Sequence, residues 1–193
     1  MTRVPTFETP RLILREVIEA DAPSWQKHFV DYEVVRTLTS LVSWPYPAGG
    51  ILEYLKTQIL PKQGHDKWVW AINLKESPDE LIGVVDLWRE EKPDNRGFWL
   101  AHKYWGQGYM TEAVEPVMDY AFDSLGFEKL IFSNAVGNFR SRRVKEKTGA
   151  TLLRTEPAQF VDPALTAREI YELTKAAWHK FKTTRASQPR SVI

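Results

Sequence analysis

The residues most suggestive of chemistry are two glycines one position apart, Gly106 and Gly108, where two sequence patterns meet. Residues 98–100 form an apolar, aromatic run that is typical of a strand, whereas apolar residues recur at helical spacing over residues 110–125. Glycine lets the backbone approach a ligand closely, and the unpaired N–H groups of a first helical turn point towards an anion. The pattern therefore indicates a phosphate cradle, although an ordinary strand-to-helix turn would carry the same glycines.

A second set of residues suited to anion binding lies in a predicted helix over residues 138–148. Five basic residues stand there against one acidic residue, Glu146. The basic residues are Arg140, Arg142, Arg143, Lys145 and Lys147. A ligand with several phosphates would use both this helix and the glycine turn if the fold places them side by side. A helix face in contact with solvent is the alternative interpretation.

The elements that must position these groups follow from hydrophobic spacing and turn residues. Strands are predicted at residues 11–15, 68–74, 81–88, 96–100, 129–134, 152–154 and 170–174. Helices are predicted from Asp21, as the N-cap, to about Thr37, at residues 51–59, at residues 110–125 with a kink at Pro116, and from Asn138 to Thr148 with Gly149 as the C-cap. The order indicates one domain over residues 1–182, a mixed α/β sheet with helices on both faces, and residues 183–193 are expected to form a disordered tail.

Composition sets limits on the class of protein. The chain has 193 residues, 43% of them hydrophobic and 26% charged, as in a globular protein with one core. A net charge of +1 argues against nucleic acid or an anionic membrane as a partner, and the absence of cysteine excludes disulfides and thiol catalysis. The four histidines lack ligand-like spacing, so we expect no metal. Neither a run of about 20 apolar residues nor an apolar signal core is present, which leads us to expect a cytoplasmic protein.

Three spaced motifs resemble the GNAT acetyltransferase superfamily. They are Arg-Leu-Ile-Leu-Arg at residues 11–15, Tyr-Trp-Gly-Gln-Gly-Tyr-Met-Thr-Glu-Ala at residues 104–113, and Val-Gly-Asn-Phe-Arg-Ser-Arg-Arg-Val-Lys-Glu-Lys-Thr-Gly at residues 136–149. They are most similar to the branch of ribosomal-protein N-terminal acetyltransferases and related small-amine acetyltransferases, and the resemblance runs from about residue 6 to residue 178. It implies a mostly antiparallel sheet with a splayed strand pair for acetyl-CoA, the co-substrate of an N-acetyltransferase that acts on a primary amine.

The resemblance also implies roles for individual residues. Backbone N–H groups of the glycine turn would bind the pyrophosphate of acetyl-CoA; they belong to Gln107, Gly108, Tyr109, Met110 and Thr111. Backbone groups of Leu100 and His102 would face pantetheine, and a strand N–H near Leu100 would polarise the thioester carbonyl. Asn138 would contact pantetheine, and Ser141 would protonate the leaving thiolate as a general acid. A serine at this place can instead serve only as a hydrogen-bonding residue of the first helical turn.

Several assignments stay open at this point. Lys103 stands where the wider superfamily has Gln or Arg, and the tyrosine acid of other branches falls at Lys145. The general base is unassigned, with Asp86, Glu112 and Glu172 as candidates. The acceptor is either a protein N-terminus or a small amine, and a non-catalytic acyl-CoA-binding or regulatory domain of the same fold is the alternative to an enzyme. We expect no nucleic-acid or membrane partner, and a monomer or a homodimer.

Overall fold

Strands and helices alternate along the chain in a computed structural model, which describes residues 4–89 and 94–187. The strands are β1 (Phe7–Glu8), β2 (Leu12–Glu16), β3 (Lys67–Leu74), β4 (Ser77–Trp88), β5 (Arg96–Leu100), β6 (Lys129–Ala135), β7 (Thr151–Pro157) and β8 (Ala167–Thr174). The helices are α1 (Ala22–Phe29), α2 (Tyr32–Val35), α3 (Gly50–Tyr54), α4 (Tyr109–Asp119), α5 (Phe139–Glu146) and α6 (Lys175–Ala186). Turns of π-helix at Leu55–Ile59 and Tyr120–Ser124 extend α3 and α4. Within the two described ranges, no helix combines the length and the apolar character needed to cross a bilayer.

The strands form two antiparallel sheets that meet at one point. The first sheet has the order β1-β2-β3-β4-β5 and the second has the order β6-β8-β7. The Asn95 N–H donates to the Ile131 carbonyl at 2.8 Å, and the Ile131 N–H donates to Asn95 Oδ1 at 2.9 Å. Beyond this point, no backbone hydrogen bond among the described residues joins β5 to β6, so the two strands are splayed. The arrangement confirms the mixed α/β fold class with mostly antiparallel strands.

Helices cover both faces of the first sheet, as alternate residues of β3 show. Trp68, Trp70 and Ile72 pack into a core cluster that includes residues of α4 and α6. Val69 and Ala71 pack into a second cluster with residues of α1 and α3. Because successive side chains of a strand point to opposite faces, two separate cores bury this strand from both sides. This packing holds the first sheet, with β5 at its edge, in a fixed position beside the start of α4.

The region between residues 21 and 37 contains two helices, α1 and α2, rather than the single helix expected there. Asp31 caps α2 by accepting a hydrogen bond from the Glu33 N–H at 2.9 Å. The Asp21 side chain makes no capping hydrogen bond to α1. Its carboxylate binds the Arg15 guanidinium at 2.6 Å and accepts from the Ile18 N–H at 2.9 Å. Asp21 is therefore the N-cap residue of α1, as predicted, but its side chain does not cap the helix, because Arg15 and the preceding turn use the carboxylate.

Helix α6 is absent from the elements that the sequence pattern predicts. Its Trp178 is buried, and the indole N–H donates to the Asp119 carboxylate of α4 at 2.9 Å. Lys182 binds the same carboxylate at 2.6 Å. These contacts support a helix that continues to Ala186, so the prediction of a disordered tail from residue 183 is wrong up to that residue. Residues 188–193 lie outside the described residues.

Candidate active site

A cavity of about 750 Å³ opens between the splayed strands. It is bordered by β5, the turn before α4, α5 and two loops, residues 37–41 and 157–160. The candidate residues from the sequence that line it are Leu100, Gly108, Tyr109, Met110, Thr111, Asn138 and Ser141. One cavity thus brings together the glycine turn, a strand and the basic helix, which lie apart in the sequence.

The glycine turn leaves open space at the start of α4. Gly106 and Gly108 have φ angles of 75° and 81°, in the left-handed region that favours glycine. A Cβ built at Gly106 would meet no atom within 4 Å, and one at Gly108 would meet only Arg11 Nη2, at 3.6 Å. Gly108 is the N-cap of α4, and no side chain caps this helix. The first-turn N–H groups of α4 are therefore available to an anion.

Arg11 and Glu112 hold the glycine turn in place. The Arg11 Nε lies 2.7 Å from the Glu112 carboxylate, and Arg11 Nη1 donates to the Gln107 carbonyl at 3.0 Å. The Thr9 hydroxyl also donates to Glu112, at 2.5 Å. Partial burial opposes the charged form of Glu112, but the hydrogen bonds from Thr9 and Arg11 outweigh it and lower the pKa of this carboxyl. Glu112 is thus an anchor of the turn rather than a proton acceptor near neutral pH.

Helix α5 divides its basic residues between the cavity and other contacts. The exposed or partly exposed cations that line the cavity are Arg140, Arg143 and Lys147. The Arg140 guanidinium lies 3.8 Å from the centre of the Trp105 ring. Arg142 instead binds Glu146, with its Nε 2.7 Å from the carboxylate. The basic helix therefore lies beside the glycine turn, and part of its charge faces the same space.

Strand β5 directs alternate backbone groups towards the gap. The Ala101 N–H donates to the Ile82 carbonyl of β4 at 2.8 Å. In an antiparallel ladder, residues that bond to the partner alternate with residues whose backbone groups face away. The N–H and C=O groups of Phe98 and Leu100 therefore face away from β4. The Leu100 carbonyl accepts the Trp105 indole N–H at 2.8 Å, which leaves the Leu100 N–H and both Phe98 groups for a ligand.

Strand β6 presents a second edge to the same gap. The Val136 N–H donates to the Ala167 carbonyl of β8 at 2.9 Å. By the same alternation, the backbone groups of Ser133 and Ala135 face away from β8 and towards β5. An extended ligand between the two edges can form hydrogen bonds as an added strand would.

Ser141 lies in the first turn of α5 without capping it. The Asn138 side chain is the cap, because its Oδ1 accepts from the Ser141 N–H at 3.2 Å, while its Nδ2 donates to Thr37 Oγ1 at 3.1 Å. The Ser141 hydroxyl oxygen accepts from Lys145 Nζ at 2.8 Å. The hydroxyl proton of Ser141 is then free for another acceptor in the cavity.

Lys145 differs from the other basic residues of α5, because its side chain is buried and only 1% of the residue is exposed. Burial, reinforced by the charge of Arg96, lowers the pKa of Lys145 well below its ordinary value, although the carboxylates of Asp94 and Glu169 act in the opposite direction. Sequence spacing groups Lys145 with phosphate-binding cations. The structure places its amine on the Ser141 hydroxyl instead.

Asp94 is a polar group of the cavity that the sequence analysis does not single out. It precedes Asn95, where the two sheets meet, and its carboxylate accepts a hydrogen bond from the Ser133 hydroxyl. Burial raises the pKa of Asp94, although the hydrogen bond from Ser133 and the charges of Lys145 and Arg168 counteract this effect. Its sequence signal is only an acidic residue before a strand, which many surface loops share.

His102 and Gln107 are the sequence-derived candidates whose side chains lie outside the cavity. His102 Nδ1 lies 3.1 Å from the Asp31 carboxylate, and the side chain is half exposed. The Gln107 side-chain amide donates to the Lys103 carbonyl at 3.0 Å. Neither residue lines the cavity, so any contact with a ligand there falls to their backbone groups.

The candidate bases from the sequence also lie elsewhere. Asp86 lies 3.7 Å from Lys67 Nζ and is 18% exposed at its side chain. Glu172 pairs in register with Ile131 on β6 and with Thr151 on β7. Neither carboxylate lines the cavity. Over residues 4–89 and 94–187, no group of three or more His, Asp or Glu side chains is arranged to hold a metal ion.

Comparison with known proteins identifies the class. Residues 11–151 match the acetyltransferase (GNAT) domain family, which is more than half of the chain. The protein therefore belongs to the GNAT acetyltransferase family. The matched range includes β5, the glycine turn and all of α5.

Individual relatives share shorter segments with this chain. YdaF of Bacillus subtilis (strain 168), which carries a provisional name as a ribosomal N-acetyltransferase, is 32% identical over 72 residues, 36% of this chain and 39% of YdaF. The FsC-acetyl coenzyme A-N(2)-transacetylase of Aspergillus fumigatus is 29% identical over 97 residues, 49% of this chain and 41% of that protein. The matches span about two fifths of the length of these relatives.

Among solved structures, the coenzyme A complex of RimL, a ribosomal L7/L12 alpha-N-protein acetyltransferase, has the same fold. The TM-score is 0.73 at 18% identity, and the match covers 90% of this chain and 98% of that chain.

Proposed function

We propose that this protein transfers the acetyl group of acetyl-CoA to a primary amine. The observation that carries the proposal is a single cavity that joins an uncapped glycine turn, the edges of two splayed strands and a serine hydroxyl. Acetyl-CoA has the matching chemistry, with phosphates at one end, an amide-containing arm and a thioester. Membership of the GNAT family supports the same activity.

The phosphates bind at the start of α4. Backbone N–H groups from Gln107 to Thr111 surround the open space at the turn, and the positive end of the helix dipole attracts the pyrophosphate. Arg140, Arg143 and Lys147 add charge from the other side of the cavity. Arginine binds phosphate through paired N–H donors, so this helix contributes affinity as well as orientation.

The pantetheine arm lies between β5 and β6. Its amide groups bond to free backbone groups along the edges of the two strands, including those of Phe98. The Leu100 N–H polarises the thioester carbonyl and stabilises the negative charge that forms on its oxygen. Asn138, which lines the cavity, borders the arm on the α5 side.

The chemistry requires one proton to leave the amine and one to reach the sulfur. The amine nitrogen attacks the thioester carbon, the C–S bond breaks, and the Ser141 hydroxyl protonates the departing thiolate. Asp94 accepts the proton that the amine loses, since its carboxylate lines the cavity and its raised pKa makes it a stronger base. Positioning of the two substrates alone supplies roughly 7–11 kcal/mol of the barrier.

The pKa of the amine narrows the class of acceptor. An α-amine has a pKa of about 7.7–8.0 and a lysine amine about 10.4, so at neutral pH roughly a tenth of the former is uncharged, against well under a thousandth of the latter. We propose a protein N-terminus or a weakly basic small amine as the acceptor. Among the relatives, the name of YdaF refers to a ribosomal N-acetyltransferase, and the name of the FsC transacetylase refers to an N(2) position.

Thiol release from acetyl-CoA tests the proposal. The purified protein is incubated with acetyl-CoA and a panel of N-terminal peptides, amino acids, polyamines and amine antibiotics. We expect amine-dependent release of CoA with at least one acceptor. Tight acetyl-CoA binding without turnover on the whole panel would support the non-catalytic acyl-CoA-binding alternative instead.

A further inference from the structure

Lys145 is a buried titratable group in the cavity that the proposed reaction has not used. Its Nζ lies 2.8 Å from Ser141 Oγ, one helical turn earlier on α5. Spacing of four residues places both side chains on one helix face. The Phe98 and Tyr171 rings lie 5.4 Å and 5.8 Å from Nζ and exclude bulk water from it. The ammonium group thus has a hydrogen-bond acceptor in Ser141 and an apolar surface around it.

A serine hydroxyl is a poor acid by itself, because loss of its proton leaves an alkoxide. If a neighbouring ammonium group donates a proton to the serine oxygen at the same time, no alkoxide forms. We propose that Lys145 supplies a proton to Ser141 Oγ as the Ser141 hydroxyl protonates the departing CoA thiolate. This inference rests on the proposed acetyl transfer.

Protons and electrons balance in this step. The C–S bond of the tetrahedral intermediate breaks, and its electron pair stays on sulfur. The Ser141 proton moves to the sulfur while one proton of Lys145 Nζ moves to Ser141 Oγ. Lys145 is left as a neutral amine, and before the next turnover it takes up the proton that Asp94 accepted from the attacking amine. The net products are the amide and CoA thiol.

The charged and titratable groups around Lys145 favour this role. Burial lowers the pKa of Arg96 to about 9, so its guanidinium on β5 stays charged at neutral pH and repels a second cation. On β8, burial and the neighbouring Glu169 carboxylate raise the pKa of Tyr171 to about 12, so this phenol keeps its proton and donates to Glu169 at 2.9 Å. Asp94 and Glu169 partly offset the burial of Lys145. The lowered pKa makes the Lys145 ammonium group a stronger acid than that of an ordinary lysine.

Two substitutions separate proton supply from positioning. Lys145→Met fills a similar volume without a proton to give, and Lys145→Gln keeps a hydrogen bond to Ser141 but has no acidic proton. We expect each variant to lower kcat by roughly 10²–10⁴-fold with little change in the Kd for acetyl-CoA. The wild-type kcat falls as the pH rises through the lowered pKa of Lys145, and both variants lose this decline. Lys180→Met, an exposed lysine on α6, is the matched control and keeps wild-type kinetics.

A double substitution tests whether the two residues act as one unit. Ser141→Ala combined with Lys145→Met is expected to be no slower than Ser141→Ala alone, because the path is already interrupted. Recovery of wild-type kcat in Lys145→Gln would reduce Lys145 to a positioning residue and overturn the proton supply. Normal kcat in Lys145→Met, or multiplied losses in the double variant, would also overturn it. If circular dichroism shows that Lys145→Met is unfolded, the kcat of Lys145→Gln is used to test the proposal.

Failure of the proposed acetyl transfer can be distinguished from failure of the Lys145 relay. A wild-type protein that acetylates no amine overturns the acetyl transfer and the Lys145 relay together. An active wild type with equally active Lys145 variants removes the relay alone.

Discussion

The Arg11 guanidinium binds the Glu112 carboxylate at 2.7 Å across 101 positions of sequence. Arg11 also donates to the Gln107 carbonyl and packs 4.2 Å above the Tyr109 ring. The arginine that opens the first sequence motif therefore fixes the glycine turn of the second. The two motifs form one structural unit, which shapes the start of α4.

Substitution of Arg11 should weaken acetyl-CoA binding more than it weakens the fold. The ion pair is partly exposed, so its own contribution to stability is small, whereas the turn loses three contacts. We expect Arg11→Ala to raise the calorimetric Kd for acetyl-CoA several-fold. Arg185→Ala, which removes the Arg185–Glu115 ion pair between α6 and α4, is the control and keeps the wild-type Kd. If Arg11→Ala also kept the wild-type Kd, Arg11 would not be needed to order the turn.

Gly108→Val should abolish acetyl-CoA binding. A β-branched side chain there would occupy the cradle, and the left-handed φ of 81° adds backbone strain. Gly126→Val is the matched control, because Gly126 has a φ of 72° and open space around a built Cβ but lies outside the cavity lining. Both variants should lose thermal stability, and only Gly108→Val should lose binding by calorimetry. Undiminished affinity in Gly108→Val would move the phosphate site elsewhere.

Ser141→Ala should lower kcat while acetyl-CoA binding stays close to wild type. General acid catalysis contributes roughly 10²–10⁴-fold, and a thiol with a pKa near about 8.5 leaves easily enough to favour the low end. The cap of α5 is Asn138, so the helix start stays capped, but the buried Lys145 amine loses its hydrogen-bond acceptor, which should cost about 1–3 kcal/mol of stability. Turnover at saturating substrates and thermal denaturation measure the two effects. A variant that turns over normally would remove Ser141 from the mechanism.

Asp94→Asn should slow the reaction and change its dependence on pH. Burial raises the pKa of Asp94, so kcat/KM of the wild type should fall as the pH is lowered through that raised pKa and the carboxylate takes up a proton. The variant should have a lower kcat/KM at neutral pH and lack this acidic decline. Measurement of kcat/KM over a range of pH gives both curves. If kcat/KM of the variant fell in the same way at low pH, a group other than Asp94 would be responsible for the decline.

The stability of Lys145→Met relative to wild type should depend on pH. The pKa of Lys145 is low in the folded protein, so between that value and about 10.4 the unfolded chain binds one more proton and wild-type stability rises with pH. The variant lacks this contribution. We expect the free energy of unfolding, measured by denaturant, to be higher for the variant than for wild type. The difference should be largest below the lowered pKa of Lys145 and should shrink as the pH approaches about 10.4. A constant difference at every pH would mean that Lys145 titrates normally.

Local signals account for the parts of the site that the sequence predicts. The strand predicted at residues 96–100 coincides with β5, and α4 begins directly after Gly108. Aromatic runs and glycine spacing determine structure over a few residues, so these patterns can be recognised in the sequence without knowledge of tertiary contacts. The motif around Ser141 likewise places it in the first turn of α5.

Tertiary contacts decide the parts that the sequence does not predict. The burial of Lys145 depends on Phe98 of β5 and Tyr171 of β8, which its own helix does not reveal. Asp94 enters the cavity because the two sheets meet at Asn95. Helix α6 forms where Trp178 packs into the core and bonds to Asp119, although its sequence has a weak apolar pattern.

Transfer of the acetyl group itself is the most direct test of the account. The acceptor panel is incubated with isotopically labelled acetyl-CoA and the protein, and mass spectrometry follows the label onto the acceptor nitrogen. We predict that a labelled N-acetyl product accumulates with wild type and with Gly126→Val, and that Gly108→Val yields none. Acetyl transfer at this site would be contradicted if no acceptor gained the label, or if Gly108→Val labelled the acceptor as fast as wild type.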